Sequence, residues 1–249
     1  MNILVTLASF TLAVMVAALI AYLLRLSLRL LATGLRAPSV LLDQSRRDAL
    51  AASILERLKN GETVESFALY LRPFAIDHAT RLDLDFEHER FSTSLEGLVY
   101  EALQHEYPII SLGVPMGFDR SGTVSPGDAG WRDAFGLLVT HAKLILVVPL
   151  LKEGTFWEIL TIKEQDHLSK TVFLVPPSAA IRKLASEGVA RAFEVSRRGL
   201  HSRGIAFPEF GRGGGLFRVD EHERCRTAVP FPSSVLQMRV DVSRLFAGN

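Results

Sequence analysis

Residues 143–158 read KLILVVPLLKEGTFWE, and this stretch indicates the fold more clearly than any other part of the chain. Residues 143–151 form a near-continuous apolar run, which predicts a strand that is buried on both faces. Such strands are typical of parallel sheets that lie between layers of helices. Residues 155–168 then predict a helix that begins soon after the strand ends.

The same alternation of apolar strands and helices extends to both sides of this stretch. We predict further strands at residues 67–71, 108–112, 171–175 and 204–207, and further helices at residues 93–105, 131–141 and 179–197. Alternation of this kind is typical of α/β domains. The sequence therefore predicts an α/β fold with a mostly parallel sheet and helices on both faces. Beyond residue 208 we predict a short strand at 216–219 and a final helix at 233–246.

The N-terminal segment is apolar and carries no charge from Ile3 to Leu24. At about 1.5 Å per residue, a helix of this length spans the roughly 30 Å hydrocarbon core of a bilayer. Arginines follow the run at Arg25, Arg29 and Arg36, and no basic residue precedes it. This asymmetry predicts a single-pass anchor in the inner or plasma membrane, with the C-terminal bulk in the cytoplasm. The alternative, a cleaved signal peptide, would have a basic segment before the apolar run and a cleavage site after it.

These patterns divide the chain into four segments. They are a transmembrane anchor with its extension (1–36), an amphipathic juxtamembrane helix (37–64), the α/β domain (65–207), and a C-terminal strand and helix (208–249). In the second segment Leu50, Ile54 and Leu58 recur at helical spacing and form an apolar stripe. The stripe either lies on the membrane surface or docks on the α/β domain.

The composition of the chain excludes several classes of protein. Its 249 residues carry a formal net charge of +1, whereas nucleic-acid binders usually have a basic excess. We therefore expect a lipid membrane as a partner and no nucleic acid. The single cysteine, Cys225, excludes a disulfide within the chain. The seven histidines show no metal-ligand spacing supported by a third candidate, so we expect no metal site.

Candidate binding residues follow the predicted strands, because ligands of open parallel sheets bind at the carboxyl ends of the strands. Arg72 follows the first strand and can hold a phosphate in its forked geometry. Asp77 follows in the same loop, where it can bind a ribose or pair with Arg72. Gly113 follows the second strand. Trp157 lies beyond the third strand, where its ring either stacks on a base or packs in the core.

Glu158 is the candidate catalytic residue, and two interpretations of it remain open. In the first, Thr155 is the N-cap of the helix and Thr155-x-x-Glu158 is a capping box, with Glu158 at the positive end of the helix dipole. In the second, Glu158 is a carboxylate at the crevice that acts as nucleophile or charge stabiliser during cleavage at a sugar carbon.

Two stretches carry a family resemblance. Residues 67–72, followed by Phe74 and Asp77, resemble the opening strand and first loop of Toll/interleukin-1 receptor-like (TIR) domains. Residues 154–159, GTFWEI, are similar to the Gly-Thr-x-x-Glu signature of nucleoside deoxyribosyltransferases, which share a flavodoxin-like core with TIR domains. The resemblance implies that Glu158 acts on an N-glycosidic bond, in NAD or in a nucleoside, and that Arg72 and Asp77 line the pocket.

Two functions from different classes remain. The first is a membrane-anchored cytoplasmic TIR-like module for signalling, assembly or nucleotide binding, which can form homo-oligomers through its α/β domain. The second is an NAD or nucleotide N-glycosidase that uses Glu158. Capping and packing explain the candidate residues without catalysis, so we place the first function ahead. The sequence fixes no cofactor, and the resemblance implies NAD or a nucleotide as ligand or substrate.

Overall fold

The computed structural model describes residues 43–72, 82–86, 89–113, 121–149, 153–177, 186–209, 211–220, 222 and 224–247. The predicted anchor and Asp77 lie outside these residues. The chain divides into two compact units, residues 1–45 and residues 46–249, and the account below concerns the second. Within the described ranges, no helix is both long enough and apolar enough to cross a membrane.

A seven-stranded, mostly parallel sheet forms the centre of the second unit, in the order β5-β4-β1-β6-β7-β8-β9. Its parallel strands are β1 (Ala68–Leu71), β4 (Ile109–Leu112), β5 (Gly122–Val124), β6 (Leu144–Val147) and β7 (Thr171–Val175). Two antiparallel strands, β8 (Gly215–Val219) and β9 (Cys225–Pro230), extend the sheet beyond β7. A separate antiparallel hairpin comprises β2 (Leu82–Phe86) and β3 (Glu89–Thr93). The predicted α/β class and mostly parallel sheet are therefore confirmed.

The helices cover both faces of this sheet. They are α1 (described over 43–59), α2 (Leu95–Leu103), α3 (Gly127–His141), α4 (Glu153–Glu164), α5 (Ser186–His201) and α6 (Val235–Ala247), with a short 3-10 turn at Leu168–Lys170. The connection through α2 leads from β1 to β4 in one direction across the sheet, and the connection through α4 leads from β6 to β7 in the opposite direction. Crossovers between parallel strands are right-handed. Hence α2 and α4 lie on opposite faces. Helix α6 lies beside α2, where Arg239 Nε donates to the Ala102 carbonyl at 2.8 Å.

The strand order is compatible with a flavodoxin-like arrangement. Taken in chain order, the four longer parallel strands β1, β4, β6 and β7 lie in the order 2-1-3-4, and the short strand β5 adds a fifth parallel strand outside β4, so that all five lie in the order 3-2-1-4-5. The order reverses between β1 and β6, so the crevice for a ligand is expected at the carboxyl ends of these two strands. All four residues of β1 and all four residues of β6 are buried. The apolar run at 143–151 predicted this burial for β6.

Several described elements differ from the sequence-based predictions. Strand β5 was not predicted, because its three residues lie in a segment rich in Gly, Ser and Pro. The hairpin was also missed, although Leu82–Phe86 reads LDLDF and alternates with the period of a half-exposed strand. Strand β9 was missed because it begins in a charged stretch. Residues 204–207 contain only an isolated bridge, from Ala206 to Arg224.

The apolar stripe of α1 docks on the α/β domain, and it differs from the predicted stripe at one of its three positions, Leu50. Leu50 is 48% exposed, whereas Ala51, Ile54, Leu55 and Leu58 are buried. Ala51 lies against β5, since a Cβ added at Gly122 would come within 2.9 Å of the Ala51 Cβ. Helix α1 therefore covers the edge of the sheet.

Candidate functional site

Arg72 leaves the carboxyl end of β1 and forms a buried ion pair with α2. Its Nη1 atom lies 2.5 Å from Glu96 Oε2, and the two side chains are 4% and 3% exposed. Glu96 lies in the first turn of α2, which begins after Ser94; the Ser94 hydroxyl accepts a hydrogen bond from the Gly97 amide at 3.0 Å. The carboxyl group of Glu96 therefore lies near both the positive end of the α2 dipole and the Arg72 guanidinium.

The other oxygen of Glu96 is also hydrogen-bonded. The Ser121 amide donates to Glu96 Oε1 at 2.9 Å, and the Ser121 hydroxyl donates to the same atom. The hydroxyls of Ser121 and Ser111 lie 2.8 Å apart. This buried network joins the carboxyl end of β1 to the residues that flank β5, and it supplies partners for both oxygens of the Glu96 carboxylate.

Gly113 ties the carboxyl end of β4 to that of β5. Its φ of 142° lies in the region that favours glycine, and its amide donates to the Val124 carbonyl at 2.9 Å. The Ser125 hydroxyl donates to the Gly113 carbonyl. Both polar backbone groups of Gly113 are thus engaged within the sheet edge, which accounts for this glycine without a ligand.

Trp157 belongs to an aromatic cluster between α3 and α4. Its ring centroid lies 5.1 Å from that of Trp131 and 5.2 Å from that of Phe135. The guanidinium of Arg132 lies 5.3 Å from the Trp157 ring centroid, within cation–π range. The packing interpretation therefore describes the observed position of this half-buried ring.

Glu158 lies deeper in its helix than the sequence predicted. Helix α4 begins at Glu153, so Thr155 is the third helical residue and Glu158 lies in the second turn. The predicted capping box is therefore wrong, because an N-cap residue precedes the helix. Thr155, Glu158, Ile159 and Ile162 are all buried, which places Glu158 on the face of α4 that packs against the domain.

The carboxyl group of Glu158 is incompletely hydrogen-bonded. Its Oε2 atom is buried and has no hydrogen-bond partner among the described residues. Burial raises the pKa of Glu158 from 4.5 to about 8, because a charged carboxylate is poorly solvated there. The side chain is consequently protonated near pH 7.

The two principal candidate residues are associated with different helices. Arg72 extends toward Glu96 on α2, whereas Glu158 is carried by α4 on the opposite face of the sheet. Gly113 lies at the same edge as Arg72, and Trp157 lies beside Glu158 in the sequence but packs between α3 and α4.

Sequence reasoning missed the residues that engage Arg72. Glu96 and Ser121 lie 24 and 49 positions further along the chain, and no local pattern links them to Arg72. Tyr70 was also missed. Its buried hydroxyl has no hydrogen-bond partner among the described residues, and burial raises its pKa. The Arg72 guanidinium carbon lies 5.8 Å from the Tyr70 ring centroid.

Among the described residues, no group of three or more His, Cys, Asp or Glu side chains is placed to hold a metal ion. Comparisons with protein-family models, with curated proteins and with solved structures found no match.

Proposed function

We propose that this chain is a membrane-anchored, TIR-like module whose cytoplasmic α/β domain signals by assembly or by nucleotide binding. The observation that carries this proposal is the buried ion pair of Arg72 with Glu96. A glycosidase site needs a carboxylate and a phosphate-binding group around one ligand. Here Arg72 is engaged by Glu96, and Glu158 is a buried residue of α4.

The state of each charge supports the same function. Moving Arg72 from Glu96 to a ligand phosphate would leave a buried carboxylate without its cation, which is costly. Glu158 is neutral at pH 7, because burial raises its pKa to about 8, and a neutral carboxyl is a poor nucleophile. Neither residue is prepared for attack on a sugar carbon.

An anchor would favour assembly for a separate reason. Confinement to a membrane raises the effective concentration of a domain and turns weak contacts into measurable association. Nucleotide binding at the crevice beyond β1 and β6 is compatible with assembly, because a ligand can stabilise one arrangement of neighbouring copies.

One observation favours the second candidate function, an NAD or nucleotide N-glycosidase. A buried carboxyl oxygen without a partner is costly, and unsatisfied groups of this kind with raised pKa values occur frequently at active sites. In its neutral form Glu158 suits the role of proton donor to a departing base nitrogen better than that of nucleophile.

The two functions are separated by assaying the full chain in lipid vesicles at low and high surface density. NAD and nucleoside consumption is followed by chromatography, nucleotide binding by equilibrium dialysis, and association by energy transfer between labelled copies. The variants are Glu158→Gln and, as a matched control, Glu164→Gln, which changes an exposed carboxylate on the same helix.

We expect association that grows with density in all three proteins and no consumption of any substrate. Consumption that is lost in Glu158→Gln and kept in Glu164→Gln would establish the glycosidase instead. Absence of both association and nucleotide binding at high density would contradict the proposed module.

A further inference from the structure

Helix α1 lies directly on the backbone of β5. A Cβ placed on Gly122 would come within 2.4 Å of the Arg47 carbonyl oxygen and within 2.9 Å of the Ala51 Cβ. Gly122 therefore allows a backbone approach that a side chain would prevent. With so little space between the two elements, a shift of α1 along the sheet must move β5.

A side chain of α1 also holds the outer edge of β5. Asp48 Oδ1 accepts a hydrogen bond from the Thr123 amide at 2.8 Å. Strand β5 is an edge strand, and its outward amide would otherwise face solvent or another chain. The position of β5 is thus set by β4 on one side and by α1 on the other.

The position of β5 in turn affects the hydrogen bonds of Glu96. It has only three residues, and Ser121, which precedes it, donates two hydrogen bonds to Glu96 Oε1. The hydroxyls of Thr123 and Ser111 lie 3.4 Å apart, and those of Ser111 and Ser121 lie 2.8 Å apart. A displacement of β5 therefore changes the hydrogen bonds of the Glu96 carboxylate.

The ion pair of Glu96 with Arg72 depends on those hydrogen bonds. A buried ion pair is tolerated when further hydrogen bonds satisfy the remaining lone pairs, and Ser121 supplies two of them. If Ser121 moves away, the buried carboxylate is less well compensated, and the pair gains by opening to water. Arg72 then becomes accessible at the carboxyl edge of the sheet.

We infer that α1 regulates the availability of Arg72, through Asp48, β5, Ser121 and Glu96. This regulation concerns the ligand-binding edge of the sheet, so it rests on the proposed function. A small shift of α1 is sufficient, and complete undocking is not required, since closely packed elements transmit small displacements. Helix α1 follows the predicted anchor in the chain, so a signal from the membrane or from a neighbouring copy has a direct route to Arg72.

The test measures how fast phenylglyoxal, an arginine-specific reagent, modifies Arg72 in the full chain in lipid vesicles. Modification is quantified peptide by peptide with mass spectrometry. Arg218 is an internal control in the same molecule: it is equally buried, and it donates to the carbonyl groups of Ser169 and Leu245, far from α1 in sequence.

Three variants probe the path. Ser121→Ala removes one donor to Glu96, and Asp48→Ala removes the acceptor for β5. Glu56→Ala is the matched control, because it removes an exposed carboxylate from the same helix. We expect modification of Arg72 to accelerate by about tenfold in Ser121→Ala and about threefold in Asp48→Ala, as loss of one hydrogen bond to or near a charged group implies. Arg218 should be unaffected in both, and Glu56→Ala should behave as the unmodified protein.

Unchanged modification of Arg72 in Asp48→Ala would overturn the inference. Equal acceleration at Arg72 and Arg218 would also overturn it, since that result indicates general loosening of the fold. The measurement requires neither association nor catalysis. A failure of the proposed function therefore leaves this result interpretable, and the two failures can be distinguished.

Discussion

Glu96 and Glu158 lie near the beginnings of α2 and α4, the helices on opposite faces of the central strands, and both are buried. The two carboxyl groups differ in how many of their oxygens have a hydrogen-bond partner. Both oxygens of Glu96 have partners, from Arg72 and from Ser121, whereas Oε2 of Glu158 has none among the described residues. Burial is therefore common to the two carboxyl groups, and the hydrogen bonds that their oxygens form distinguish them.

Among the substitutions that test this comparison, Glu96→Ala is expected to destabilise the folded chain most. Removal of the carboxylate leaves Arg72 buried without its described counter-charge, and we expect a loss of about 3–5 kcal/mol in the free energy of unfolding. Denaturant titration followed by fluorescence of Trp131 and Trp157 measures it. The double variant Arg72→Met/Glu96→Leu is the control and should recover most of the loss, because it removes both charges and keeps the volume. Equal destabilisation in both proteins would show that packing, and not charge, is the cause.

Glu158→Gln tests the environment of Glu158 through the pH dependence of folding stability. The raised pKa of Glu158 means that, from pH 4.5 to about 8, the unfolded chain releases a proton that the folded chain keeps. The stabilising effect of this proton is complete below pH 4.5 and is lost as the pH rises toward 8. The slope is at most about 1.4 kcal/mol per pH unit.

The difference in stability between the unmodified protein and Glu158→Gln should therefore fall steadily from pH 5 to pH 8. Denaturant titrations at four pH values measure it, and titrating groups that the two proteins share cancel in the difference. Glu164→Gln, on the exposed side of the same helix, should show no such trend. A difference that stays constant with pH would mean that Glu158 is ionised in the folded chain.

Gly122→Ala tests the close contact between α1 and β5, the strand preceded by the Glu96 partner Ser121. The added methyl would meet the Arg47 carbonyl oxygen, and backbone atoms yield less readily than side chains. We expect a loss of about 1–3 kcal/mol, as overpacking of a core usually costs. Gly136→Ala in α3 is the matched control: nothing lies within 4 Å of its Cβ, and it should stabilise the chain by up to about 1 kcal/mol. Thermal or denaturant unfolding measures the change in stability of each variant. Equal changes in the two variants would contradict close docking of α1.

Ser94→Ala is the smallest change. The Ser94 hydroxyl accepts from the Gly97 amide at 3.0 Å, and loss of such an N-cap costs about 1 kcal/mol. Ser94→Asp keeps an acceptor at this position and should retain the stability of the unmodified protein. A destabilisation shared by both variants would indicate that the hydroxyl, and not the cap, is needed.

The parallel core of the fold was predictable because its signal is local. Strand β6 lies inside a run of apolar residues, and burial on both faces is encoded by that run itself. Strand β5 had no such signal. Its three residues become a strand through pairing with β4 and through contact with α1, about 70 positions earlier in the chain.

The candidate site was predictable only as a set of residue positions. The rule that ligands bind beyond parallel strands correctly placed Arg72 and Gly113 at one edge of the sheet. The sequence did not show that Arg72 is engaged by Glu96, since charged partners 24 positions apart leave no periodic trace. It also placed Glu158 in the first turn of its helix, because Thr155-x-x-Glu158 matches a capping box, whereas the helix begins two residues earlier, at Glu153.

The covering of β5 by α1 has a consequence for biosynthesis. Asp48 is synthesised 75 residues before its partner Thr123, an interval of about 4–15 s at ordinary rates of translation. During this time the residues of α1 have been synthesised and those of β5 have not. The exposed sheet edge, which would otherwise be open to pairing with other nascent chains, can thus be covered as soon as it forms. The order of the two elements along the chain thus places the covering residues ahead of the edge that they cover.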